Sequence, residues 1–133
     1  MGINMKYEIA NEHLTVRVSG RFDLDEMRKS FLEMLKIMDT GKASKVLVDC
    51  FQLKGNPSAA DRYFYAKFGA DELWKFLRAK KMSEVQFAYV GTEPLIAKDG
   101  FGQTVAINRG VNVKNFDNID DALMWLGDGS KNK

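Results

Sequence analysis

The chain has 133 residues, of which 45% are hydrophobic and 29% charged, a composition typical of one globular domain and not of a disordered chain. Its 20 basic and 18 acidic residues leave a formal charge of +2, which disfavours nucleic acid or an anionic membrane as the main partner. The chain has one cysteine, no secretory signal pattern and no run near the roughly 18 apolar residues that span a bilayer, so we expect a cytoplasmic protein without a transmembrane segment.

The first predicted elements are two strands that form a hairpin. Residues 5–10 and 14–19 are joined by a short polar turn, and apolar and polar residues alternate in the second segment. Alternation with a period of two is typical of a half-buried strand. Gly20 is predicted to end this strand.

A helix is predicted next. Asp23 can accept hydrogen bonds from the amides of the first turn, and Glu26 follows at capping-box spacing. Apolar residues then recur every three or four positions, which places them on one face. Gly41 is predicted to end the helix in a left-handed conformation.

Two later segments are apolar on both faces, which predicts strands in the interior of an α/β sheet. They cover residues 46–51 and 85–90. The loop 52–57 is predicted between the first of them and a helix over 58–81. We expect Gly69 to divide or kink that helix.

The rest of the chain continues the alternation of helices and strands. Pro94 is predicted to lie in the first turn of a helix that ends at Gly110, followed by a short strand and a closing helix over 118–126. This order predicts an α/β fold with a mixed, mostly parallel five-stranded sheet that starts with a β-hairpin and has helices on both faces. We expect one domain over residues 1–127 and a mobile tail over 128–133.

Three segments carry a resemblance to a known group of proteins. They are the strand LTVRVSG (14–20) with the helix behind it, the segments KVLVD (45–49) and LKG (53–55), and VKNF (113–116) with DDA (120–122) and WL (125–126). Together they resemble the SpoIIAA-like superfamily, which contains STAS domains, anti-sigma factor antagonists and Sec14-like lipid-binding domains. The resemblance implies the fold predicted above and a regulatory or binding function.

One segment departs from this resemblance. Anti-sigma factor antagonists carry an Asp-Ser-Ser-Gly-like turn after the central strand, in which a serine at a helix N-terminus is phosphorylated. Here a longer turn follows Asp49, and the motif is missing. Ser58 could take the equivalent place, because phosphate is favoured at a helix N-terminus. The interpretation we favour is a plain capping serine.

Catalysis is not expected from these residue types. His13 is the only histidine and lies in the predicted hairpin turn, where histidines are usually exposed bystanders. Cys50 lies in an apolar run, which favours a small buried hydrophobe over a reactive thiol. We therefore expect no enzyme, no metal site and no cofactor; the fragment from Gly100 to Gly102 is too short for a dinucleotide fingerprint.

The candidate binding site lies where the two buried strands end. Parallel strands present their carboxyl ends at the same edge, and ligands bind there in α/β sheets. The predicted binding loops contain Asp49, Gln52, Lys54, Asn56, Arg62, Gly91, Thr92 and Glu93. The helix beside these loops is unusually aromatic. Its aromatic side chains are predicted either to pack in the core and in a dimer contact or to line an apolar groove. The predicted walls of that groove are Tyr63, Phe64, Phe68 and Trp74.

Two functions remain open from the sequence. The first is a non-catalytic STAS-like regulatory or protein-interaction module, such as an anti-sigma factor antagonist-like protein, which binds its partner around Ser58. The second is a binder or sensor of an apolar small molecule or lipid in the Sec14-like manner. A homodimer is expected in either case, because aromatic and methionine residues are frequent for so small a domain.

Overall fold

A computed structural model describes residues 2–82, 84–97 and 99–127. The elements are β1 (Ile3–Ala10), β2 (His13–Arg21), α1 (Leu24–Gly41), β3 (Lys45–Lys54), α2 (Ala59–Lys80), β4 (Gln86–Val90), α3 (Phe101–Asn108), β5 (Asn112–Phe116) and α4 (Ile119–Leu126). The predicted tail over 128–133 lies outside the described residues.

The sheet has five strands in the order β1-β2-β3-β4-β5. β1 and β2 are antiparallel, and all later neighbours are parallel, so that the predicted mixed sheet is confirmed. The main apolar core lies between one face of the sheet and α1, α2 and α3, whereas α4 covers a smaller cluster around Leu47 on the other face. Consecutive right-handed crossovers between neighbouring strands explain why the first three helices share a face.

The opening hairpin turns over two residues. Asn11 and Glu12 both have positive φ, of 50° and 71°, which is the backbone of a tight two-residue hairpin turn. His13, predicted in the turn, is instead the first residue of β2 and is partly buried. Gly20 does not end β2, which continues to Arg21; its φ of 113° and the close approach of the Gly2 carbonyl require a residue without a side chain.

Helix α1 begins as predicted and ends one residue later than predicted. The Asp23 carboxylate accepts a hydrogen bond from the Glu26 amide at 3.0 Å. The left-handed residue at its end is Lys42, with a φ of 57°, and Gly41 is the last helical residue. A Cβ at Gly41 would collide with the Ile9 side chain, so that the glycine serves the packing of α1 on β1.

Helix α2 is continuous through Gly69, so the predicted division of the helix is wrong. Gly69 is buried, and a Cβ there would lie 3.6 Å from the Phe31 ring, an ordinary contact. Packing of α2 against α1 therefore outweighs the weak helix propensity of one glycine.

We expect Gly69→Ala to raise the free energy of unfolding by up to about 1 kcal/mol, because alanine fits the contact and favours the helix. Urea denaturation measures the change. Gly41→Ala is the matched control and should lower stability through its collision with Ile9. A loss of stability in both variants would contradict the packing described for Gly69.

Two predicted element boundaries are wrong, namely the end of β3 and the start of α3. β3 continues to Lys54, because residues 52–54 pair in parallel with β2 beyond a register shift, so Gln52 and Lys54 are strand residues. Pro94 does not start a helix; α3 begins at Phe101. Gly100 precedes it with a φ of 67°, a left-handed conformation that a helix cannot pass through.

No helix within the described ranges is long and apolar enough to cross a membrane.

Candidate functional site

The ends of β3 and β4 lie at one edge of the sheet, as their parallel pairing requires. Here Asn56, Arg62 and Glu93 line one shallow depression together with Pro94 and Asp99. The other predicted loop residues that are exposed near these strand ends are Gln52, Lys54, Ser58 and Thr92. The structure thus leaves most of the predicted loop set open to contact by a partner.

Two predicted loop residues are not open to a partner. Asp49 is only 8% exposed, and its carboxylate accepts from Arg17 Nε at 3.3 Å and from the Phe51 amide at 3.0 Å. Gly91 is buried, and a Cβ there would lie 2.9 Å from Ile96. Asp49 therefore links the middle of β3 to Arg17 of β2, and Gly91 allows the segment after β4 to fold over the sheet.

A cavity of about 140 Å³ lies beneath this segment, between the sheet, α2 and α3. Its walls are mainly apolar and include Met27, Phe31, Leu53, Leu73, Phe87 and Val113. Small-molecule sites are typically cavities of this kind, with apolar walls and a few convergent polar groups.

The polar side chains that line the cavity are those of Arg62, Gln103, Asn115 and a pair of tyrosines. The Tyr65 and Tyr89 hydroxyl oxygens lie 2.8 Å apart, a hydrogen-bond distance. Burial, which disfavours the phenolate, raises the pKa of both side chains well above the usual value near 10. Both hydroxyls therefore remain neutral donors over the physiological pH range.

Cys50 also lines the cavity, and its environment opposes reactivity. The residue is 3% exposed. Burial, and to a lesser extent the neighbouring Asp49 carboxylate, raises the pKa of the thiol to about 12. The thiolate, which is the nucleophilic form, is therefore scarce at neutral pH.

Arg62 holds the cover of the cavity in place. Its guanidinium donates to the carbonyl oxygens of Leu95, at 2.7 Å, and Pro94, at 2.8 Å. Leu95 and Ile96 in turn line the cavity. Arg62 is predicted as a loop residue for partner binding, but two of its guanidinium donors are already used in hydrogen bonds within the chain.

The four aromatic side chains predicted as groove walls do not line this cavity. Tyr63 and Phe64 pack edge to face outside it, with 5.3 Å between ring centroids. Tyr63 lies under the Arg109 guanidinium, Trp74 donates to the Arg109 carbonyl at 2.9 Å, and Phe64 is 46% exposed. Phe68 lies under Arg28, between α1 and α2. The cavity is lined instead by the opposite face of α2, from Arg62 to Leu73.

Sequence reasoning missed the tyrosine pair as a site. Tyr89 lies in the apolar strand QFAYV, and a buried tyrosine hydroxyl usually has a hydrogen-bond partner. That signal indicates a polar contact beneath a helix. It does not identify Tyr65 as the partner, since the choice depends on how α2 packs on the sheet.

Ser58 is the N-cap of α2. Its hydroxyl accepts from the Asp61 amide at 3.0 Å, and the Asp61 carboxylate accepts from the Ser58 amide at 3.1 Å. This reciprocal capping box satisfies two amides that would otherwise lack partners. The capping interpretation of Ser58 accounts for all of these contacts.

Ser58→Ala should lower the free energy of unfolding by about 1 kcal/mol, because the Asp61 amide loses its acceptor. Chemical denaturation checks this value. Ser30→Ala is the control: the Ser30 hydroxyl donates to the Glu26 carbonyl inside α1, and its loss leaves no amide unpaired. Equal losses in the two variants would count against the cap.

No protein-family model matches the chain, and no curated protein matches it in sequence.

Solved structures match nearly the whole chain. An anti-sigma factor antagonist from Mycobacterium paratuberculosis is 17% identical, with 94% of each chain covered and a TM-score of 0.56. The anti-sigma factor antagonist SpoIIAA in its unphosphorylated form is 9% identical over 92% of this chain and 96% of its own, with a TM-score of 0.58. An uncharacterized protein of the DUF3478 family from Shewanella loihica, described as having a SpoIIAA-like fold, is 20% identical over 94% of each chain, with a TM-score of 0.51. With the sheet order and the opening hairpin, these likenesses show that the chain has the SpoIIAA-like fold.

Proposed function

We propose that this chain is a non-catalytic STAS-like module of the cytoplasm that binds a protein partner. The observation that carries this proposal is the exposed surface formed by the end of β3 and the start of α2, where Gln52, Lys54, Asn56 and Ser58 are all exposed. Two of the similar structures are anti-sigma factor antagonists, which supports a regulatory role for such a surface.

The positions of the nucleophilic and basic side chains support the non-catalytic part. His13 pairs with Lys45 at the start of β3. Cys50 lies five residues further along this strand, a separation of roughly 16 Å at the usual strand rise. The two side chains therefore cannot form a Cys–His pair.

A partner pull-down with paired charge reversals tests the proposal. Lys54→Glu changes the proposed surface. Lys36→Glu makes the same change at an exposed position in the second half of α1 and serves as the control. We expect Lys54→Glu to reduce capture of the partner from the native cytoplasm and Lys36→Glu to leave it unchanged. Capture that is insensitive to Lys54→Glu and to changes at Gln52 and Asn56 would contradict the proposed surface.

A second candidate function is the binding of an apolar small molecule, and the cavity favours it. A cavity of about 140 Å³ with mainly apolar walls is suited to such a ligand. Native mass spectrometry of gently purified protein should show a bound mass or a gain of mass when apolar compounds, including lipids, are added. A clean unliganded mass in both experiments would count against this function.

Self-association as a symmetric dimer is part of the proposal. Large apolar side chains such as Phe64, Trp74, Phe101 and Ile107 remain exposed on α2 and α3, which supports an apolar contact between copies. Light scattering at tens of micromolar should give twice the mass of the chain. A monomer mass would contradict the dimer.

A further inference from the structure

The tyrosine pair in the cavity has an unused hydrogen-bond donor. Two phenol groups carry two hydroxyl hydrogens, and one of these lies between the Tyr65 and Tyr89 oxygens. Among the described residues, neither hydroxyl makes another hydrogen bond. One hydroxyl hydrogen of the pair is therefore available to an acceptor in the cavity that both residues line.

Ring contacts hold this donor in position. Tyr65 packs edge-on against Phe31, with 6.3 Å between ring centroids, and against Tyr89 at the same separation. Phe31 in turn packs against Phe87 at 5.8 Å. A donor fixed by packed rings loses little conformational freedom when a ligand binds, which favours affinity.

The cavity volume sets the size of the ligand. A volume of about 140 Å³ is close to that of an engineered apolar cavity of roughly 150 Å³ that binds benzene. The space therefore fits one ring with a small substituent. An extended acyl chain exceeds this volume and would have to extend beyond the cavity.

The surroundings disfavour an anion. Burial raises the pKa of Cys50, Tyr65 and Tyr89, so the same site disfavours negative charge on a ligand. Among the described residues that line the cavity, only Arg62 carries a positive charge, and its guanidinium already donates to two backbone carbonyls.

We propose that the cavity binds an uncharged molecule of about one ring whose single acceptor, a carbonyl or ether oxygen, accepts a hydrogen bond from the Tyr65–Tyr89 pair. This inference rests on the second candidate function, small-molecule binding, and specifies the chemical class of the ligand.

Matched probes test the inference. Acetophenone, ethylbenzene and benzoate share one ring and differ in carrying a neutral acceptor, no acceptor or a negative charge. Titrations followed by NMR of the wild-type protein should give a Kd for acetophenone about 2- to 10-fold lower than for ethylbenzene, the effect of one net hydrogen bond. Benzoate should bind more weakly than both.

The double variant Tyr65→Phe/Tyr89→Phe assigns the effect to the pair. Both residues are changed because either hydroxyl alone could still donate. The preference for acetophenone should disappear while ethylbenzene binding persists, which also shows that the variant is folded. Tyr63→Phe is the control, because the Tyr63 hydroxyl accepts from Arg109 outside the cavity.

The possible outcomes distinguish the role of the tyrosine pair from small-molecule binding itself. Equal wild-type affinities for acetophenone and ethylbenzene, or a preference that survives in the double variant, would overturn the role of the tyrosines and leave small-molecule binding intact. Tighter binding of benzoate would overturn the requirement for an uncharged ligand. Failure of all three probes to bind the wild-type protein would overturn the one-ring ligand, and a clean unliganded mass after lipids are added would overturn small-molecule binding as well.

Discussion

Ala66→Leu is expected to raise the Kd of ethylbenzene by about 10- to 100-fold. Ala66 lies on the face of α2 that lines the cavity, so the added side chain occupies the space that the ligand needs. Displacing packed side chains to recover that space costs on the order of 1–3 kcal/mol, and about 1.4 kcal/mol corresponds to a tenfold change in Kd. NMR titration of wild type and variant measures the difference.

The control for this variant is Ala79→Leu, which adds the same side chain to an exposed position in the last turn of α2. Its Kd should match that of the wild type. Far-ultraviolet circular dichroism should show both variants folded, because leucine is a good helix former. Unchanged ethylbenzene affinity in Ala66→Leu would show that the probe binds elsewhere.

Stability is expected to fall as the pH rises above 9. Burial raises the Cys50 pKa from 9.0 in its ordinary environment to about 12 in the folded protein. The folded state therefore keeps a proton that the unfolded state loses, so stability is full below pH 9 and declines towards pH 12. At pH 11, two units above the ordinary value, the loss from this residue is about 3 kcal/mol.

Tyr65 and Tyr89 act in the same direction from about pH 10, because burial raises the pKa of both. Urea denaturation at pH 7, 9 and 11 measures the decline, and Cys50→Ala isolates the part that belongs to the thiol. The free energy of unfolding of the variant should decline less between pH 9 and 11. A decline as steep as in the wild type would show that the Cys50 thiol does not titrate as described.

The cavity and the exposed edge belong to one part of the fold. The segment after β4 covers the cavity, and Arg62 from α2 holds that segment through the Pro94 and Leu95 carbonyls. Arg62 and Glu93 also line the depression beside the proposed partner surface. The hydrogen bonds of Arg62 therefore connect the cover of the cavity, where a small molecule would bind, to the proposed partner surface.

Local sequence patterns predict several of the helices and strands. The cap at Asp23 and the regular apolar spacing behind it predict α1, and the alternation before Gly20 predicts β2. The apolar segments around Val48 and Val90 predict neighbouring parallel strands, which is how β3 and β4 pair. These features depend on residues close together in sequence, or on a burial pattern that only a covered sheet satisfies.

Glycines and strand ends were harder to predict. Gly69 continues a helix, Gly20 continues a strand and Gly41 ends α1 one residue later than expected, because contacts with Phe31, Gly2 and Ile9 decide their roles. The same holds for residues 94–96, which form a turn over the cavity, whereas the helix begins only at Phe101.

By itself, the sequence determined the class of fold. Helix caps, periodic apolar segments and strands that are apolar on both faces can each be recognised from residues close together in the chain, and their order indicates the fold class. The tertiary structure alone decided which side of α2 faces a cavity and that Tyr65 meets Tyr89. The physical reason is that α2 carries apolar residues on several faces, so helical spacing does not select one of them. Packing against α1 and the sheet makes that selection, and it joins residues that lie 24 positions apart in the chain.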